Sequence, residues 1–156
     1  MKHYIKADLI AGLNEDLAHE YASVMQYETY ASTVRGPHRP VLRPLFAAEV
    51  TDELRHAGVL ADAIVALGGT PTTTPAPVPA AEGAEAMLRA VLEAEEGALA
   101  RYLDRRRQAE TLDEIGLAVA LDEMIADETR HRDEIRLVLD GWAEAAVEHY
   151  VAAVAR

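Results

Sequence analysis

Two tetrads, Glu53-Leu54-Arg55-His56 and Glu128-Thr129-Arg130-His131, constrain this chain more than any other feature. Residues three apart on a helix share a face, so each tetrad aims a carboxylate and an imidazole at one point. Each tetrad lies in the middle of an apolar stripe. A carboxylate carried into a core must be paired or metal-bound, because burying a bare charge is expensive. The fold must therefore bring the two tetrads together, which predicts a dinuclear metal site inside a helical bundle.

Helix-period patterning runs through the whole chain, in long segments near 6–35, 40–68, 82–109 and 112–141 and a short one near 143–155. Ala, Leu, Glu and Arg, all strong helix formers, dominate, and no alternating strand pattern appears. Gly36-Pro37 ends the first segment, Pro40 and Pro44 open the second, and Gly68-Gly69 stops it. Thr111 with Glu114 reads as a capping box opening the fourth segment, and Gly141 as its end or a kink. The one low-complexity stretch runs from Gly69 to Ala80 and is rich in Pro and Thr. Each flanking half holds only two long helices, so a domain boundary there would leave both cores open. At about 3.1 Å per residue in a polyproline-like form, the stretch can span most of a bundle and let helices two and three lie parallel. The expectation is one all-α domain over residues 1–156, a four-helix bundle with a long crossover and a short fifth helix.

The remaining composition narrows the function. A formal charge of −12 argues against a nucleic-acid partner and suits cations. With no cysteine, disulfides, thiolate metal sites and rubredoxin-like iron centres are excluded. No apolar stretch is long enough to span a membrane, and the opening Met1-Lys2-His3-Tyr4 is not a secretory leader, so a cytoplasmic location is expected.

Helical phase locates further ligands, at about 100° per residue. Leu117, Leu121, Met124, Ile125, Ile135 and Leu139 surround Glu128 and His131, as Phe46, Val50, Ala57, Leu60, Ile64 and Leu67 surround Glu53. In the first segment Leu9, Leu13, Leu17, Val24 and Tyr27 define a stripe with Glu20 near its centre. In the third, Leu88, Val91, Leu92, Ala98, Leu99 and Tyr102 cluster about Glu95, whereas Glu96 and Glu93 turn away. Four carboxylates and two imidazoles thus converge from four helices. Such oxygen and nitrogen donors suit two first-row ions, iron or manganese, better than structural zinc. A buried ion-pair network is the competing explanation, and it lacks bases: only Arg132 approaches the stripe. Arg101, Arg105, Arg106 and Arg107 read as a solvated face near the end of helix three.

The ligand arrangement resembles the ferritin-like di-iron carboxylate bundles, and more specifically the bacterioferritins. The blocks that carry the likeness are Leu13-Asn14 to Glu20, Gln26-Tyr27, Asp52-Glu53-Leu54-Arg55-His56-Ala57, Met87-Leu88-Arg89 to Glu95, and Asp127-Glu128 to His131. Glu148-His149-Tyr150 is similar to that family's short fifth helix. The resemblance implies that Glu20, Glu53, His56, Glu95, Glu128 and His131 are ferroxidase ligands, with Glu53 and Glu128 as bridges. It also implies that Tyr27 stands beside the centre as an electron donor. Leu54 departs from the family, because bacterioferritins ligate haem there through methionine, so haem is not expected. Ala48 stands where some members carry an iron-transferring histidine.

The function implied is oxidation of Fe(II) by dioxygen or peroxide, with storage of the product in a homo-oligomer, at least a dimer and at most a cage. The alternative is a discrete di-metal redox enzyme, either a rubrerythrin-like peroxidase or oxidase or a manganese catalase. A Dps-like mini-ferritin fits less well, because its site lies between subunits.

Overall fold

A computed structural model describes the backbone of residues 4–154 and the side chains of residues 4–142. Four helices carry it: α1 Lys6–Thr33, α2 Arg39–Ala66, α3 Ala84–Thr111 and α4 Ile115–Val154, with no strand among the described residues. The first three have 28 residues each. At 1.5 Å per residue each is roughly 42 Å long. α1 packs on α2 and α3, and α4 on α3 and α2. None of these helices is long and apolar enough to cross a membrane.

Local chemistry sets the helix ends. Asp8 accepts the Ile5 N–H at 3.2 Å and places a negative charge in the first turn of α1. Arg39 ties the tight α1–α2 turn by donating to the carbonyls of Ser32 (3.1 Å) and Val34 (2.6 Å). At the end of α2, Gly68 adopts φ +85° and donates to Val65, while the Gly69 N–H reaches back to Ile64 at 2.8 Å. This is a Schellman ending, which wants glycine at the left-handed position. Gly69 is needed for a different reason, since a Cβ there would sit 2.6 Å from Ile10.

The crossover between α2 and α3 lies along α1. Thr70 and Thr72 are held by Asn14, the Ala76 N–H donates to Ala18 at 2.8 Å, and the Tyr30 hydroxyl donates to Pro79 at 2.7 Å. Nine polyproline-like residues cover about 28 Å, close to the roughly 24 Å that sixteen helical residues span. The strap therefore crosses most of the bundle and makes α2 and α3 parallel, as the sequence predicts.

Three expectations need correction. α4 runs unbroken through Gly141 to Val154, so the segment at 143–155 is not a separate fifth helix as far as Val154; residues 155–156 lie outside the described residues. One glycine costs a helix only about 1 kcal/mol, and the helix formers around it carry the turn through. Thr111 does not cap α4. It ends α3, its hydroxyl bonding back to Arg107 at 2.8 Å, and Asp113 turns the chain at φ +59°. Finally, Arg105 is not on a solvated face: it is buried against the fully buried Asp16, Nε to Oδ2 2.7 Å and Nη2 to Oδ1 3.3 Å. Gly12 makes the room, since a Cβ there would lie 1.9 Å from the guanidinium.

The interior has two apolar clusters. Leu9, Leu13, Leu17, Leu60, Ile64, Leu121 and Met124 anchor one. Tyr30, Val34, Leu42, Phe46, Met87, Leu88 and Ile135 anchor the other. A polar layer separates them. Asp16 and Arg105 sit one turn from Glu20 and Tyr102, so their pairing fixes α1 against α3 beside that layer. Removing one partner of a buried pair leaves an uncompensated charge, at a cost of about 3–5 kcal/mol, whereas replacing both is nearly neutral. Arg105→Leu should therefore lower unfolding stability in denaturant titrations by roughly that amount. Adding Asp16→Leu should recover most of the loss, and no recovery would show that the pair is not the cause.

Candidate metal centre

Each helix contributes to the polar layer. α1 supplies Glu20, α2 supplies Glu53 and His56, α3 supplies Glu95, and α4 supplies Glu128 and His131; all six are buried. Helical phase thus separates the acids of α3 correctly. Glu95 is inside, Glu93 is exposed, and the exposed Glu96 pairs with Arg136 at 2.5 Å.

Donor atoms of these six form two overlapping buried groups, Glu20, Glu53, His56 and Glu128, and Glu53, Glu95, Glu128 and His131, each with all atoms within 4.8 Å, and Glu49, Asp52 and His131 form a third, less buried one. Glu53 and Glu128 belong to both buried groups, the placement a bridging ligand requires. Both imidazoles turn Nδ1 inward. His56 Nδ1 lies 2.8 Å from Glu128 and 3.7 Å from Glu20, and His131 Nδ1 lies 3.5 Å from Glu128 and 3.9 Å from both Glu53 and Glu95. The 2.8 Å approach is out of line for a hydrogen bond: His56 Nδ1 and both Glu128 oxygens have no hydrogen-bonding partner. Glu20 Oε2, Glu53 Oε1 and His131 Nδ1 are orphaned in the same way. Buried polar atoms are normally satisfied, so this many converging orphans mark a candidate cation site. Oxygen and imidazole donors in this ratio fit a pair of first-row divalent ions.

Electrostatics agree. Burial, reinforced by Glu20, Glu128 and Glu95, raises the Glu53 carboxyl well above the ordinary range. Burial and Glu128 raise Glu95 similarly, against the opposing Tyr27 hydrogen bond. Burial also acts to raise Glu128, but the close approach of Glu95, His131 and His56 overrides it and holds that carboxyl below its usual value. Burial opposes charge on the histidines, yet Glu128 and Glu20 push His56 up to about 9, and Glu128 and Glu49 push His131 up to about 10. Without a cation, the cluster must hold protons in its place.

A repeat organises the surroundings. Every inner residue has a counterpart seventy-five positions on: Glu20 and Glu95, Tyr27 and Tyr102, Glu53 and Glu128, His56 and His131. Tyr27 stands beside the centre as expected, its hydroxyl donating to Glu95, and Tyr102 reciprocally donates to Glu20. Burial raises both phenols well above their usual range, so both remain neutral donors. The repeat includes Asp52 with Asp127 and Arg55 with Arg130, which bracket the outer edges of the histidines. Arg55 pairs with Asp127, Arg130 reaches Asp127 at 2.8 Å and Asp52 at 3.5 Å, and His56 Nε2 lies 3.4 Å from Asp127. His131 Nε2 lies 3.5 Å from Asp52 and 2.7 Å from Glu49.

Tyr102, Glu49 and this aspartate–arginine ring have no role in the ligand reading of the sequence. Comparing Asp-Glu-x-Arg-His in α2 and α4, and Glu-x6-Tyr in α1 and α3, reveals all but Glu49. Arg132, the one base expected near the stripe, bends outward to Asp133 (2.8 Å). Leu54 is 54% exposed on the outer face of α2.

The raised groups fix a pH response. A group whose folded pKa exceeds its unfolded value stabilises the fold below the unfolded value and loses that contribution as pH rises through the folded one. Glu53 and Glu95 start from 4.5 and the histidines from 6.5, and the histidines end near 9 and 10. Protein stripped of metal by chelation should therefore melt at progressively lower temperature from pH 6.5 to 10. Excess Mn(II) should flatten that decline by replacing the protons. A stripped protein whose melting temperature is constant over the interval would contradict the assignment.

Comparison with known proteins places the chain. A family model described as the ferritin-like domain matches residues 10–145. A crystallised ferritin-like, diiron-carboxylate protein from Bacillus anthracis strain Ames is 45% identical, over 89% of this chain and 99% of that one, with a TM-score of 0.85. A Dps protein from Bacillus brevis, 22% identical over the same shares, has a TM-score of 0.82 and shares the fold. Comparison with curated proteins returns no significant match. On the strength of the family match and the first of these structures, the chain belongs to the ferritin-like domain family.

Proposed function

We propose that this protein is a bacterioferritin-like ferroxidase that oxidises Fe(II) at a site held by Glu20, Glu53, His56, Glu95, Glu128 and His131 and stores the product in a homo-oligomer. The observation that carries this reading is the pair of four-residue donor groups sharing Glu53 and Glu128. Fe(II) is the substrate. Two ions give up one electron each, reducing dioxygen to hydrogen peroxide or hydrogen peroxide to two waters, with uptake of two protons in either case. Glu53 and Glu128 hold both ions, Glu20 with His56 one, and Glu95 with His131 the other. The raised carboxyls and imidazoles yield their protons as the ions bind. When only one Fe(II) is present, Tyr27 is placed to supply the second electron for peroxide, its phenolic proton passing to Glu95.

The discrete redox enzyme is the second reading, favoured by the tyrosines bonded to both terminal carboxylates. Product and assembly separate the two. Aerobic Fe(II) loading that leaves a large oligomer with a mineral core supports storage, and manganese content with rapid peroxide dismutation supports the enzyme.

Mutation tests the site itself. Glu128→Ala should abolish rapid Fe(II) oxidation, by more than about a hundredfold, while circular dichroism still reports a full helical bundle. Glu96→Ala, which only breaks a surface pair with Arg136, should change the rate less than about twofold. A damaging Glu96→Ala with a harmless Glu128→Ala would remove the centre from its assigned place.

A further inference from the structure

The two histidines look alike from inside the centre and differ from outside. His131 Nε2 has a carboxylate oxygen, Glu49 Oε2, at 2.7 Å. That oxygen is buried, its nearest basic partner is His131, and no guanidinium lies within 4.0 Å of it among the described residues. Both Nε2 atoms have a guanidinium beside them, Arg130 at 3.4 Å from His131 and Arg55 at 3.2 Å from His56, but only for His56 is that guanidinium the nearest charged neighbour. The carboxylate beside His56, Asp127, is 3.4 Å away and already pairs with both Arg55 and Arg130. The repeat identifies the source of the difference. The counterpart of Glu49, four residues before Glu128, is Met124, which offers no acceptor.

A histidine bound to metal through Nδ1 carries its proton on Nε2, and a carboxylate accepting that proton both orients the ring and makes it a stronger ligand. Glu49 Oε2 and His131 Nε2 are close but out of line for a completed hydrogen bond. Glu49 is nonetheless the nearest acceptor for Nε2–H, and Asp52, the next at 3.5 Å, already pairs with Arg130. We propose that Glu49 is a positioning residue that makes the two halves of the centre unequal, so that the Glu95/His131 half binds a divalent cation more tightly and fills first. This rests on the di-metal reading above.

The test is an anaerobic Co(II) titration of the chelator-stripped full-length protein, followed by absorbance. The wild type should bind two Co(II) per chain in two steps separated by about tenfold or more, and Glu49→Met, which installs the residue of the twin position, should weaken only the first step by about 10–100-fold. Glu49→Gln keeps an acceptor without the charge and should fall between the two, which preserves the test if the methionine variant misfolds. His131→Ala should remove the tight step and His56→Ala should spare it. Two equal steps in the wild type, or an unchanged first step in both Glu49 variants, overturns the proposal and leaves the di-metal reading intact. A third equivalent lost with Glu49 overturns it too, because Glu49 would then be a ligand. Fewer than two Co(II) in the wild type overturns the di-metal reading and this inference together.

Discussion

Four carboxylates and two imidazoles meet at mid-bundle with apolar cores on both sides, and the rest of the molecule is arranged around that concentration of charge. Like charges at such range cannot all remain ionised in a dry interior. Either protons or cations must occupy the space between them. The raised Glu53 and Glu95, the charged histidines and the depressed Glu128 describe the proton-filled solution. Orphaned oxygens and nitrogens aimed inward describe what a pair of cations satisfies. One polar layer therefore carries a local stability cost that protons or cations must relieve, and the packing above and below it has to hold the layer in place.

That support is visible in the outer contacts. Tyr27 and Tyr102 cross between α1 and α3 to the two terminal carboxylates. The Asp52, Asp127, Arg55 and Arg130 ring joins α2 to α4 behind the histidines. Asp16 with Arg105 pins α1 to α3 one turn away. Each contact links different helices, so the ligand positions are set by tertiary pairing more than by any single helix. Function by family membership alone would not predict the asymmetry at Glu49. It follows from which residue stands at each position of the repeat.

Much of this was legible in the sequence. Helical phase needs only one helix at a time, which is why Glu20 and Glu95 could be chosen and Glu93 and Glu96 set aside. The crossover was legible because two helices on either side cannot close a core separately. What escaped were pairings between helices. Nothing along α3 alone distinguishes a buried Arg105 from its exposed neighbours until Gly12 on α1 is seen to admit it. Glu49 escaped for the same reason, since its significance lies in the distance to His131. Gly141 misled in the opposite direction, a local breaker too weak to stop a strong helix.

Anomalous diffraction at the iron edge, from crystals soaked anaerobically in Fe(II), tests the central claim most directly. The account predicts two peaks between Glu53 and Glu128, one on the His56 side with Glu20 and one on the His131 side with Glu95. A single peak there, or iron bound only outside the polar layer, would contradict it.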